Sequence, residues 1–135
     1  MKLIICLDDK MGMAFNKRRQ SRDSAVIADI KSDLDGDALY TDEYSAKLFE
    51  GSGCNVKVIE SLYKSAQSDY TVFCEREDPR DYSDKTDSLC IYRWNRIYPC
   101  DVYCTIDLNG YKLVSVCSFA GSSHEKITKE IYVKK

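Results

Sequence analysis

A chain of 135 residues is long enough for one buried core and short for two, so a single domain over 1–135 is expected. Lys plus Arg total 20 against Asp plus Glu 22, a net charge of -2 that excludes any general attraction for polyanions, so a nucleic-acid contact would have to be local. With 44% apolar and 31% charged residues, the composition is globular and excludes a long disordered tail.

Lys2-Leu3-Ile4-Ile5-Cys6-Leu7 is a continuous β-prone run closed by Asp8-Asp9, the pattern of a strand buried on both faces in mid-sheet. It is too short for a signal-peptide core or a membrane span, so a cytoplasmic protein with no membrane partner is expected. Asp9-Lys10-Met11-Gly12 breaks the run, Gly12 being able to take a positive φ, and a loop of about ten residues follows. Ser21 suits an N-cap, Asp23 falls in a first helical turn, and Val26, Ile27, Ile30 and Leu34 repeat at helical spacing up to Gly36. This predicts a helix over 22–34. A shorter helix is predicted from Asp42 to Glu50, with Tyr44, Leu48 and Phe49 inward and Gly51-Ser52-Gly53 ending it.

Beyond residue 54 the period becomes two. Val56 and Val58, then Tyr70 to Cys74, predict short strands around a helical turn at 60–67, and the polar stretch from Glu75 to Asp87 with Pro79 predicts a surface loop. Asn109-Gly110 suits a type I′ turn and predicts a hairpin of 101–108 with 111–119, pairing Leu108 with Tyr111, Ile106 with Leu113 and Val102 with Cys117. Residues 89–98 and 126–133 supply two further strands. The fold class expected is α/β, with α+β as the alternative: a single mixed sheet in which an N-terminal strand-loop-helix unit precedes a mostly antiparallel C-terminal sheet. Seven cysteines, an odd number at strand positions, point to reduced thiols packed as small apolar groups.

Three constellations bear on chemistry. Lys17, Arg18, Arg19 and Arg22 lie between the first strand and first helix without an acid among them. A helix N-terminus there would hold an anion through unpaired N–H groups, and arginine adds bidentate donors. The structural alternative is that these arginines pair with the acidic stretch 33–50 or are solvated. Asp8, Asp9 and Asp23 could bind Mg²⁺ or act as a general base, although acids so placed more often cap turns and helices. Tyr92, Trp94 and Arg96 alternate on one strand face, as in platforms that stack unpaired bases, or belong to a packed core strand. His124 is the sole histidine, in the turn-like Gly121-Ser122-Ser123-His124-Glu125, so Ser-His or Cys-His catalysis would have to use it and is not expected. Cys100 and Cys104 make no zinc pattern, and neither Gly-x-Gly-x-x-Gly nor a P-loop occurs, so no metal and no cofactor are expected.

The run from Asp9 to Asp23 resembles the opening of a family of short Firmicutes proteins with the pattern D-x-x-x-G-M-x-F-N-x-R-R-Q-S-x-D, over the first quarter of the chain. Some members carry the label ribonuclease Z. That enzyme's site needs a His-x-His-x-Asp-His cluster, which one histidine cannot build, so the resemblance implies RNA as a ligand and not that mechanism. The first strand with its glycine-containing loop is also similar in topology to the start of dihydrofolate reductase, without the Pro-Trp that follows the loop there. The function expected is binding of an anionic partner, RNA or a phosphate-bearing molecule, through Asn16, Arg18, Arg19, Gln20, Ser21 and Asp23. The alternatives are a metal-dependent phosphodiesterase or ribonuclease-like enzyme using Asp9 or Asp23, and an interaction module docking an acidic protein.

Overall fold

The computed structural model describes residues 1–135 and is built on a seven-stranded sheet. In chain order the elements are β1 (Lys2–Leu7), β2 (Gly12–Phe15), β3 (Arg18–Arg19), α1 (Ser24–Leu34), β4 (Ala38–Thr41), α2 (Glu43–Ala46), β5 (Asn55–Val58), α3 (Leu62–Ser65), β6 (Thr71–Phe73), β7 (Ser88–Arg93), β8 (Val102–Tyr103), β9 (Tyr111–Phe119) and β10 (Ile127–Lys134). The large sheet has the order β5-β4-β6-β1-β7-β10-β9; its first five strands are parallel, and β10 runs antiparallel to both β7 and β9. A small sheet, β3-β2-β8, sits beside it. The expected mixed α/β class is what the chain adopts.

β1 lies in the middle, as its unbroken apolar run requires. Leu3, Ile5 and Leu7 face one core with Leu89, Ile91 and Tyr82, while Ile4 faces the other with α1, Phe73, Tyr92 and Trp94. Leu3, Ile5 and Leu7 are fully buried, each stabilising the fold by about 1.5–3 kcal/mol relative to exposure. The apolar stripe of α1, Val26, Ile27, Ile30 and Leu34, is the predicted one and packs on the second core. Its cap is not Ser21: Asp23 is the N-cap, its side chain accepting from Ala25 N–H, and Asp35 ends the helix at φ 48. The second helix is shorter than predicted, α2 passing into a 3-10 turn over Lys47–Phe49 that buries Leu48 and Phe49.

Two segments depart from expectation. The loop after Gly12 is a hairpin, β2 and β3 joined through Asn16 and Lys17 at φ 51 and 62, the conformation of a type I′ turn without its usual glycine. Gly12 itself has no positive φ; Met11 does, at 65. Glycine is needed at 12 because a Cβ there would lie 2.7 Å from both the Asp8 carboxylate and Cys100 Sγ. The Asn109-Gly110 hairpin does not form. Asp107 accepts from Asn109 N–H and Gly110 N–H, tightening Leu108–Gly110 into a 3-10 turn. Cys104 N–H meanwhile binds Met11 O, and β8 pairs with β2. The local turn preference is thus outweighed by pairing with distant β2 and β10. No helix is long and apolar enough to cross a membrane.

Candidate functional site

The chain leaves β1 through α1 toward β4 on one side, and leaves β6 for β7 on the other. The crevice at the carboxyl ends of these strands is where open α/β sheets take ligands. A narrow cleft occupies it, partly open to solvent and with room between its walls for about one water. Its apolar walls are Cys6 from β1, Phe73 from β6, Trp94 beyond β7, and Val26, Ile27 and Ile30 from α1. Its rim carries Arg19, Gln20, Ser21, Arg22, Asp23 and Glu75.

Glu75 is buried and accepts from Arg19 Nε (3.0 Å) and Nη2 (2.9 Å) and from Ser45 Oγ (2.7 Å). Arg19 Nη1 is left outside that bidentate pair. Arg19 and Arg76 both pack on the Tyr44 ring, 4.5 and 3.8 Å from its centroid. Gln20 donates through Nε2 to Asp8 (2.9 Å), but its buried Oε1 has no donor. Asp8 accepts further from the N–H groups of Lys10, Gly12 and Tyr98; burial opposes its charge, yet these bonds prevail and hold it below the usual carboxylate range.

At the other end of the rim, Asp23 binds His124 Nδ1 at 2.9 Å and accepts from the N–H groups of Ala25, Ser122 and Ser123. Burial would raise its pKa, but those donors outweigh it and hold the carboxyl far below its ordinary value. Gly121 allows the approach, since a Cβ there would collide with Asp23 Oδ2. Trp94 stacks on the His124 ring at 4.6 Å and 18°. His124 Nε2 meets Tyr98 OH at 2.7 Å and Ser21 Oγ at 3.2 Å.

Of the expected site residues, Arg19, Gln20, Ser21 and Asp23 line this cleft, whereas Asn16 and Arg18 sit exposed on the β2–β3 hairpin. Asp9 is exposed, and Asp8 caps the loop after β1 by accepting from Lys10 and Gly12 N–H. Tyr92 and Trp94 are buried core residues, not an open stacking face. Glu75, Tyr98 and His124 were not among the expected residues, and their partners lie between 26 and 103 positions away, beyond the reach of any local pattern.

No protein-family model matches the chain, and no curated protein matches its sequence. Solved structures do match. Dihydrofolate reductase from Enterococcus faecalis, complexed with NADP(H) and RAB-propyl, has a TM-score of 0.71 over 99% of this chain and 95% of its own, at 13% identity. The fold is dihydrofolate reductase-like.

That whole-chain likeness overturns the expected function. The Arg-rich segment is a cleft wall and hairpin in this fold, not an open anion-binding loop: Arg19 is spent on Glu75, and the Asp23 carboxylate fills the start of α1 where RNA or a phosphate group was to sit. The same facts remove the phosphodiesterase and ribonuclease-like reading, since Asp9 and Asp23 do not converge on a site. They also remove the acidic-partner module, since of the two arginines it needed Arg19 is neutralised internally by Glu75.

Proposed function

We propose that this protein binds a small, flat, nitrogen-bearing ring compound in the cleft between β1, α1, β6 and β7, whose rim side chains part to admit it. The observation that carries this is Gln20 Oε1, a buried acceptor without a donor at the rim of an otherwise apolar slot. An unmet buried acceptor is costly until a water or a ligand N–H completes it, and a ligand N–H can displace the water there. Arg19 Nη1 offers a donor on the same rim, so a ring carrying both an N–H and an acceptor suits the pair, with Trp94 and Phe73 beside its faces.

NADP(H), held by the neighbouring dihydrofolate reductase, does not fit the residues of this chain. A dinucleotide's phosphates are received by free N–H groups at helix starts and by glycine-lined backbone. Here the helical segments after β1, β4, β5 and β6 are each capped by their own side chain: Asp23 on Ala25, Asp42 on Ser45, Ser61 on Lys64 and Asp78 on Arg80. Three of these caps are carboxylates, and β6 runs directly into buried Glu75. Phosphates brought to this edge would find a cap N–H of each helical segment already taken by its own side chain.

Trp94 is the only tryptophan, so its emission reports on the cleft alone. Titration with 2-aminopyrimidine, uracil and nicotinamide is expected to give a saturable change with at least one of them, weakened about tenfold by Gln20→Leu, and none with NADPH. If no ring compound gives saturation, or Gln20→Leu binds as well as the parent, the proposal fails.

A further inference from the structure

The cleft rim holds a second arrangement that ring binding does not use. His124 is fixed on three sides: Asp23 Oδ2 takes Nδ1–H at 2.9 Å, Trp94 stacks on the ring, and Tyr98 OH lies 2.7 Å from Nε2. A neutral ring so held carries its proton on Nδ1 and presents Nε2 as a base. Ser21 Oγ is 3.2 Å from that nitrogen, is itself partly exposed, and lines the cleft. Nucleophile to base to orienting carboxylate, all within hydrogen-bond reach, is the arrangement of a serine hydrolase, recognised by geometry and not by order in the chain.

The geometry points to Ser21 and His124 as catalytic residues, with Asp23 positioning the imidazole, for hydrolysis of a small ester whose ring-bearing part occupies the cleft. This rests on the cleft's being a ligand site. Ser21 Oγ attacks the ester carbonyl carbon as its proton passes to His124 Nε2, and the carbonyl π pair moves to oxygen. Collapse of that oxyanion breaks the bond to the alcohol oxygen, which leaves with the proton from Nε2. Water repeats the sequence: it gives its proton to Nε2 and its oxygen to the acyl carbon, and Ser21 departs reprotonated. Ester and water become acid and alcohol. Tyr98 has a defined part in this. Nε2 has one lone pair, which the closer Tyr98 hydroxyl occupies at rest. For the Ser21 proton to reach Nε2 that hydroxyl first turns away, Ser21 Oγ–H taking its place on the lone pair, and at 3.3 Å from Ser21 Oγ it can then donate to the oxyanion formed beside it.

A purely architectural role for the Asp23–His124 pair, clamping residues 121–124 to the start of α1, needs no reactivity at Ser21. The folded chain is therefore treated with phenylmethylsulfonyl fluoride and followed by intact and peptide mass, and its turnover of p-nitrophenyl acetate is measured in parallel. One adduct is expected, on Ser21, forming faster as pH rises along a single ionisation. In His124→Gln its rate should fall roughly 100-fold or more and lose the pH dependence. Tyr98→Phe is expected to keep the adduct while turnover falls by about 100-fold, the cost of one oxyanion donor. Absence of an adduct on Ser21, a flat pH profile in the parent protein, or turnover unchanged in Ser21→Ala would each overturn the assignment, and none of these depends on His124→Gln folding. The two readings fail separately. Saturable ring binding without a Ser21 adduct sinks only the hydrolytic one, and an adduct without ring binding sinks only the proposed ligand.

Discussion

Replacing Asp23 by Asn tests the densest polar knot in the molecule while barely changing side-chain volume. The carboxylate accepts from Ala25 N–H (2.9 Å), Ser122 N–H (2.8 Å), Ser122 Oγ (3.1 Å), Ser123 N–H (2.9 Å) and His124 Nδ1 (2.9 Å). The amide keeps one oxygen, which can still cap α1 through Ala25. Its NH₂ must then face the two donors on Oδ2, Ser123 N–H and His124 Nδ1–H. Two charge-assisted bonds are lost and two buried donors opposed, so with non-additivity the cost is about 3 kcal/mol. The effect should depend on pH in a definite sense. The folded Asp23 pKa lies below its unfolded value, so its contribution is fully present above about pH 4, the unfolded value, and is lost as pH falls toward the folded one. Urea denaturation followed by Trp94 fluorescence should show the variant destabilised at pH 7 and the gap narrowing below that point. Asp9→Asn, at an exposed position, is the control and should stay within about 0.5 kcal/mol of the parent. A loss under about 1 kcal/mol for Asp23→Asn, or a gap that widens in acid, would mean that the carboxylate is not held as the structure has it.

The β2–β3 turn stores strain that substitution can relieve. Lys17 sits at φ 62, so Lys17→Gly should raise stability by about 0.5–1 kcal/mol in thermal unfolding, and a decrease would show that the turn is not type I′. Ile5 is fully buried in the central strand, so Ile5→Ala is expected to cost about 2–5 kcal/mol, and a cost under that range would place β1 nearer an edge of the sheet than its pairing with both β6 and β7 allows.

What the sequence disclosed was local. The apolar run 2–7 and the spacing of Val26, Ile27, Ile30 and Leu34 are consequences of burial on fixed periods, and both elements stand where those periods put them. Asn109-Gly110 misled because a dipeptide preference worth little energy competes with eight residues of β9 pairing to β10, a partner that no short window contains. Asn16-Lys17 escaped for the converse reason: a type I′ turn normally announces itself through glycine, and here Asn and Lys adopt it under the pull of β8 pairing beyond β2. At the site, the arginine cluster drew notice through its charge, but only the structure shows which charges remain free. Asp23 and His124 lie 101 residues apart, and nothing in Gly121-Ser122-Ser123 marks that loop as the donor set for a carboxylate near the other end of the chain.

Apart from the exposed Arg22, the rim of the cleft offers a ligand little net charge. Glu75 is answered by Arg19 and Ser45, Asp23 by the 121–124 loop, and Asp8 by its own turn and Gln20, so each buried acid is met from within the protein. Discrimination is then left to shape and to the two unfilled hydrogen-bonding positions, Gln20 Oε1 and Arg19 Nη1, both directional and short-ranged. Ligand binding in such a cleft should change little with ionic strength, because screening acts on long-range fields between exposed charges and hardly on hydrogen bonds made inside a narrow apolar slot. Of the four basic residues in the first quarter of the chain, Arg19 alone is built into the frame of the site, while Lys17, Arg18 and Arg22 stay exposed.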